Sequence, residues 1–488
     1  MKQRGWTVGL AAGTTWLLCA CAVGPDFKSP ATPQVSGYLR QPVPSQTGGD
    51  SAIAGGDVQR LVAGMDIPAQ WWTLFHSAPL DKLVQEALAH NPNLQAAQAT
   101  LRQAQEEVSA QRGAYLPQAA ANDSFSRQQN ATGTLSPTLT SGQSLFNLHT
   151  AQVSVSYVFD VFGLNRRQVE SLQALADSQR YQTEATYLTL AGNVVAAAIQ
   201  EASLRAQISA TTDIVRAERE SLRILNHQYE LGAVAMTDVL AQQAALSATE
   251  ATLPALQKQL AQQRHLLAAL TGHFPDDEPE EQFELTDLTL PRDVPLSVPA
   301  ALVRQRPDVL SAEAQMHSAS ANVGVAVANL LPQISLTGSA GGASTAMGQL
   351  FASGNTFWTA ETSLSQTLFA GGTLVHRKRA AVAALDAAGA QYRAAVLAAF
   401  QNVADALTAL QFDADAVTTS AAAERAAAAS LAAARHNVEL GLLGYVSVLN
   451  AEQAHQQAVL SLAQARANRC TDTAALLQAL GGGWWNRT

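Results

Sequence analysis

The chain repeats itself. Asn91-Pro92-Asn93-Leu94 recurs as Arg306-Pro307-Asp308-Val309, and Leu116-Pro117-Gln118 as Leu331-Pro332-Gln333, both 215 residues further on. Glu230-Leu231-Gly232 recurs as Glu439-Leu440-Gly441, Val239-Leu240 as Val448-Leu449, and Gly272 as Gly481, now 209 residues further on. Landmarks kept in one order and separated by one small deletion mark a tandem duplication, with halves at 80–272 and 296–482. Whatever fold one half adopts, the other must adopt its copy.

Each half reads as helix, strand, strand, helix, helix. The first helix spans about Leu80–Gln111 and stops short of Pro117, which pushes the residue before it out of the helical region. Strands are expected at about 118–127 and 150–160, on either side of a Ser/Thr/Gly-rich loop from Gln128 to His149. Their counterparts fall at about 332–340 and 356–369. In the second strand Val153, Val155, Tyr157 and Phe159 alternate with Ser154, Ser156 and Val158. A period of two puts the apolar residues on one face and mostly small polar ones on the other. Such alternation suits a lipid-facing barrel strand, though a soluble sheet edge shows it too.

From Leu164 to about Tyr229 there is no proline and only one glycine, Gly192. One helix of that length is a rod of roughly 100 Å. The return helix, Met236–Leu270, is about half as long, and Thr373–Val438 with Tyr445–Leu480 repeat the ratio. A two-helix coiled coil wants a narrow stripe of large residues. Here Leu, Ile and Val are interspersed with Ala on several sides, although aromatics make up only 6% of the chain. Close packing on both flanks, with polar residues inside and out, fits the wall of a hollow cylinder better than a zipper.

Lys2 and Arg4 precede an apolar run from Trp6 to Leu18, as in a signal peptide covering residues 1–20. The run ends in Leu18-Cys19-Ala20-Cys21, which resembles a bacterial lipobox. Cleavage after Ala20 would leave Cys21 as the acylated first residue. Bulky Leu18 makes Cys19 the poorer acceptor, and an ordinary signal peptide with incidental cysteines is the competing reading. Ala22, rather than Asp, after the cysteine suggests outer-membrane sorting by analogy. Only Cys470 remains in the mature chain, so no internal disulfide can form. No later run of about 18 apolar residues offers a membrane helix, so a membrane-spanning part would have to be a β-barrel.

The net charge of −9 argues against a nucleic-acid face. The ten histidines are scattered, with no HExxH and no His/Cys pair at zinc spacing. Nucleophile-elbow and P-loop signatures are absent as well. The acidic run Asp276–Glu284 reads as a solvated loop. Sequence therefore predicts no enzyme, no catalytic or metal site, and no cofactor beyond a covalent lipid on Cys21.

Pro295-Leu296-Ser297-Val298-Pro299, followed by Leu302-Val303-Arg304-Gln305-Arg306-Pro307-Asp308-Val309 and Ala312-Glu313, resembles the central signature of the TolC-like outer membrane factor family. Cys21-Ala22-Val23-Gly24-Pro25-Asp26-Phe27 with Pro30, and Trp71-Trp72-Thr73-Leu74-Phe75 with Leu80-Asp81-Lys82-Leu83-Val84, are similar to its NodT-like lipoprotein branch. The resemblance covers essentially the whole mature chain.

It implies a mainly α fold with a transmembrane β-barrel: a homotrimer closing twelve strands in the outer membrane, four per subunit, above a long periplasmic helical barrel. The function implied is a passive exit duct for an inner-membrane efflux pump and its periplasmic adaptor. Residues 21–79, the acidic connector at 273–295 and the tail at 483–488 would form or flank an equatorial collar. The hairpin tips, with Gly232, Asp238, Gly441 and Tyr445, are implied adaptor contacts, although helix capping explains Gly232, Gly441 and Asp238 equally well. Relatives often place an aspartate ring at the second tip. Here Gly441-Leu442-Leu443-Gly444-Tyr445 carries no acid, and Ser447 stands where Asp238 stands in the first half. A gate of Leu442, Leu443 or Tyr445 closing by dewetting is then expected. A periplasmic helical scaffold or tether that never forms a pore, and a lipid-anchored enzyme, are the rival readings.

Overall fold

A computed structural model describes residues 22–35, 37–50, 53, 55–129 and 145–487. The chain divides into two compact units, and both repeats contribute to each.

The first unit (1–29, 101–178 and 312–392) carries a four-stranded antiparallel sheet. Its strands are β2 (Gln118–Gln129), β3 (Leu145–Phe159), β5 (Gln333–Ser344) and β6 (Thr356–Ser365), in the order β2-β3-β5-β6. Residues directly opposite in an antiparallel ladder share a face, so the register sorts the side chains. Val153 faces Ala121 and Ala340, Val155 faces Ala119 and Gly338, Tyr157 faces Leu336, and Phe159 faces Ile334. Ile334 in turn faces Leu364, and Ala340 faces Trp358. The opposite face carries Ser154 with Ala120 and Ser339, then Ser156 with Gln118 and Thr337. Across it, Ser335 and Ser363 share a 2.8 Å hydrogen bond, and Ser339 and Thr359 one of 2.7 Å.

The apolar face is largely uncovered in the chain: Trp358 is 77% exposed, and Val153, Val155, Leu336 and Leu364 are exposed too. Strands β2 and β6 are the sheet's two edges, each paired on one side only.

Several strand limits differ from expectation: β2 runs on to Gln129 and β5 to Ser344. β3 starts at Leu145, inside the expected loop, because Leu145–His149 continue the ladder opposite Phe125–Gln129. β6 stops at Ser365 rather than 369, because Ser365 pairs with Gln333, the first residue of β5. Beyond it stands Pro332, which has no N–H to offer a ladder.

The second unit (30–100, 179–311 and 393–488) holds a parallel pair, β1 (Arg60–Ala63) with β4 (Asp293–Leu296), among helices. Its core is Ile67, Trp71, Trp72, Phe75, Leu80, Leu83, Leu267 and Phe283, all essentially without solvent contact. The Trp72 indole donates to Asp81 at 2.8 Å, so the buried ring keeps a partner for its one polar atom.

Helices α3 (Leu164–Glu230) and α8 (Thr373–Glu439) contain 67 residues each. The expected first helix is instead two, α1 (Ala78–His90) and α2 (Pro92–Arg112), because Pro92 holds Asn91 in an extended conformation. The same break at Arg306-Pro307 separates α6 (Pro299–Gln305) from α7 (Pro307–Ala328). Pro254 interrupts the first return helix differently: it has no N–H for the preceding turn, and Ala251 and Thr252 stay in the helical region between α4 (Met236–Glu250) and α5 (Leu253–Thr271), whereas proline-free α9 (Val446–Ala479) runs unbroken.

The duplicated prolines sit at duplicated junctions. Asn91 Nδ2 donates to the Leu270 carbonyl at 2.9 Å, and Arg306 Nη1 to the Ala479 carbonyl at 3.0 Å. Each closes the last turn of its repeat's final helix, where carbonyls lack helical partners. Gly272 and Gly481 follow at positive φ, and a Cβ there would lie 2.7 Å from the His90 carbonyl oxygen or 2.6 Å from that of Gln305. Only glycine fits either place.

The sheet register gives a direct test. Val155→Arg should cost roughly 2–4 kcal/mol if its face meets the bilayer core, whereas Ser154→Arg on the other face should be tolerated. Yield of heat-resistant, membrane-inserted oligomer reads the difference. Equal assembly of the two variants would refute the assignment of faces.

Candidate functional sites at the anchor and the hairpin tips

Cys21 lies outside the described residues, but the segment that follows it is firmly seated in the first unit. The Val23 amide donates to the Phe162 carbonyl at 3.1 Å, three residues past the end of β3. Arg167, almost wholly buried on α3, donates to the Val23 carbonyl at 3.1 Å, to Asp26 at 2.7 Å and to Glu170 at 2.7 Å. Phe27 stacks on His317 with ring centroids 4.3 Å apart, and His317 meets Glu170 at 3.0 Å. Gly24 presses on Gly324 so closely that a Cβ would come within 2.4 Å of its Cα.

The segment therefore lies in a fitted groove at the strand–helix junction. Sequence reasoning missed Arg167, whose partners Val23 and Asp26 are about 140 positions away; only Glu170 is near in sequence. Cys470 lies buried in the second unit, and burial pushes its thiol up to about 12, which makes it a poor nucleophile.

At the first tip α3 ends in a left-handed turn. Gly232 has φ +72°, its amide donates to the Tyr229 carbonyl at 2.8 Å, and the Ala233 amide to that of Gln228 at 2.8 Å. Asp238 accepts from the Ala235 amide at 3.3 Å at the start of α4. At the second tip Gly441 has φ +70°, and the Leu442 amide donates to the Asn437 carbonyl at 2.8 Å. A Cβ on either glycine would meet nothing within 4 Å, so backbone conformation alone calls for glycine there.

The three residues expected at the gate are not alike. Leu442 and Leu443 are exposed on the turn. Tyr445 is half-buried against Leu431, Ala434, Val448 and Ala451, and its hydroxyl donates to Gln242 of the first hairpin at 2.9 Å. Burial pushes the Tyr445 hydroxyl up to about 12, so it stays a donor at neutral pH. Gln242, fully buried, donates onward to the Glu218 carbonyl at 3.2 Å. Sequence could not show that Tyr445 bonds to the other repeat.

The chain has clear relatives. The family model described as outer membrane efflux protein matches residues 83–273 and 298–482, one segment per repeat. The toluene efflux pump outer membrane protein TtgC of Pseudomonas putida is 27% identical over 98% of this chain and 96% of its own length. Nodulation protein T of Rhizobium leguminosarum bv. viciae is 27% identical over 97% and 93% respectively. The solved outer-membrane channel OprN superposes with a TM-score of 0.84 at 26% identity, covering 95% of this chain and all of OprN. With both repeats matched and relatives aligned along nearly their whole length, this chain is an outer-membrane protein and belongs to the outer membrane efflux protein family.

Proposed function

We propose that three copies of this chain form the outer-membrane exit duct of a tripartite export system, anchored by lipid on Cys21 and without catalytic activity of its own. A periplasmic adaptor and an inner-membrane pump supply coupling and energy, and the duct conducts passively. The observation that carries this reading is the sheet: one uncovered apolar face, one polar face and two open edges. Four strands cannot close a barrel, and open edges in lipid leave backbone groups without partners. Three copies would make a twelve-stranded barrel with the serine face inside. A periplasmic tether has no use for an uncovered apolar sheet. Planar-bilayer conductance of the purified protein, measured together with its oligomeric mass, tests the proposal; a non-conducting monomer in detergent and in lipid would overturn it.

For the anchor, the seat of residues 22–27 supports Cys21 as the first mature residue. Cys21→Ser is expected to abolish acylation and leave Cys470 unmodified, as read by mass spectrometry of the mature N-terminus. An unacylated wild-type Cys21 would defeat the idea. Insertion is expected to persist without lipid, since the sheet and not the anchor spans the membrane.

For the tips, the turns around Gly232 and Gly441 form the adaptor-facing ends, with Asp238 capping the return helix. Leu442 and Leu443 are the closing residues, and Tyr445 ties the second hairpin to the first. Threefold symmetry would bring three Leu442–Leu443 pairs to one axis, where apolar side chains exclude water and block ions without binding them. Leu443→Ser is expected to raise the resting single-channel conductance, with wild-type conductance insensitive to millimolar calcium or magnesium. Strong divalent block that survives the substitution would move the gate to an acid such as Asp238 or Glu439.

A further inference from the structure

Glu86, His90 and His273 come together in the second unit, with one donor atom from each lying within 4.8 Å of the others. Glu86 and His90 are one turn apart on α1, and His273 follows directly on the glycine that ends α5. Sequence offered only the Glu86–His90 spacing. The third member arrives because Gly272 lets the chain pass against the His90 carbonyl.

The orientation of the rings is informative. His273 Nδ1 lies 2.9 Å from Asp277 Oδ2, and His90 Nδ1 lies 3.2 Å from the Glu86 carbonyl oxygen. Both contacts take an Nδ1–H donor, so in the neutral ring it is Nε2 that carries the lone pair. His273 Nε2 then lies 2.9 Å from Glu86 Oε1. A lone pair facing a carboxylate oxygen at that distance is repulsive unless a proton or a metal ion stands between them. Donors about 2.1 Å from one ion are about 3 Å apart in neighbouring octahedral positions and about 3.4 Å apart in tetrahedral ones, so only His90 has to close in. Its side chain is exposed, with a single 3.2 Å contact from Nδ1 to the Glu86 carbonyl oxygen. A ring nitrogen ligating a metal while the other donates to a carboxylate or carbonyl is the usual outer-shell arrangement of histidine sites. Lys82, the nearest cation along α1, is engaged with Glu281.

The duplication supplies an internal control. The equivalents of Glu86, His90, His273 and Asp277 in the second repeat are Ala301, Gln305, Gly482 and Asn486. That junction has the same proline break, the same bond to a terminal carbonyl and the same close-packed glycine, yet no metal-binding side chain. The histidines are therefore not needed to build a junction of this kind.

We propose that Glu86, His90 and His273, oriented by Asp277 and the Glu86 carbonyl, bind one divalent transition-metal ion per chain, with Zn2+ or Cu2+ favoured by the imidazole-rich donor set. The ion ties the end of α1 to the end of α5 and keeps open positions for water. The inference does not depend on the channel reading.

Tag-free, chelator-stripped full-length protein in detergent is titrated with Zn2+ against a chromophoric chelator, and with Co2+ by visible absorption. One Zn2+ per chain and a Co2+ spectrum with nitrogen ligation are expected. His90→Ala and His273→Ala should each lose the site, and Asp277→Asn should weaken it about 10-fold or more. Zn2+ should raise the thermal midpoint of wild type but not of His90→Ala. His90 is exposed, so its variant should keep the wild-type circular dichroism and oligomeric mass even if His273→Ala does not fold. Absence of stoichiometric binding in wild type, or undiminished binding in a folded His90→Ala, would overturn the proposal and leave His273 as a protonated bridge between two carboxylates.

Discussion

Everything in the first unit follows from one demand: every peptide group inside a bilayer must find its partner within protein. The β2-β3-β5-β6 ladder meets it along three interfaces and leaves it unmet along the outer sides of β2 and β6. Side chains obey the same logic. Where the outer face would touch hydrocarbon the chain places Val153, Val155, Leu336 and Trp358, and where water would fill the interior it places serine and threonine, some bonded to one another across strands. A soluble sheet would need a layer over its apolar face; among the described residues none covers Trp358.

The helices face a different problem, since they are long, Ala-rich and must end in defined places. Proline, glycine and a side-chain donor at each junction set those ends. Proline breaks at 92 and 307 start new helices, Asn91 and Arg306 satisfy the last carbonyls of α5 and α9, and Gly272 and Gly481 close the turns where a Cβ would clash. Asn91 and Arg306 are different residues with one job, reached by side chains of different length. Such junctions fix register at a few points and leave the intervening surfaces free to meet neighbours on more than one side.

What the sequence made legible was what is periodic or repeated. The duplication, the four strands and the two long proline-free helices were readable because period and repeat are local properties. The break at Asn91–Pro92 was within reach of the same proline rule applied at Pro117, and that at Pro254 of the missing N–H, but the apolar pattern on both sides continued and hid them. The role of Arg167 and the bond from Tyr445 to Gln242 join residues roughly 140 and 200 positions apart, and no local pattern reports such contacts. The meeting of His90 with His273 is of the same kind, set by a glycine whose importance lies in what it lets approach.

Residues 22–27 and the sheet are linked through a short stretch of chain. Ala22 lies so close to Gly163 that a Cβ there would come within 2.7 Å of it, and Gly163 is four residues beyond the last residue of β3. The residues that follow position 21 are thus packed against the turn after β3. Arg167 enforces this by holding both the Val23 carbonyl and Asp26 from a buried position, a geometry in which losing the cation would leave two acceptors and Glu170 without their common donor. Residues 22–27 form a fitted arm fixed to the turn after β3 and to the first turns of α3, so they belong to the architecture of the sheet as much as the strands do.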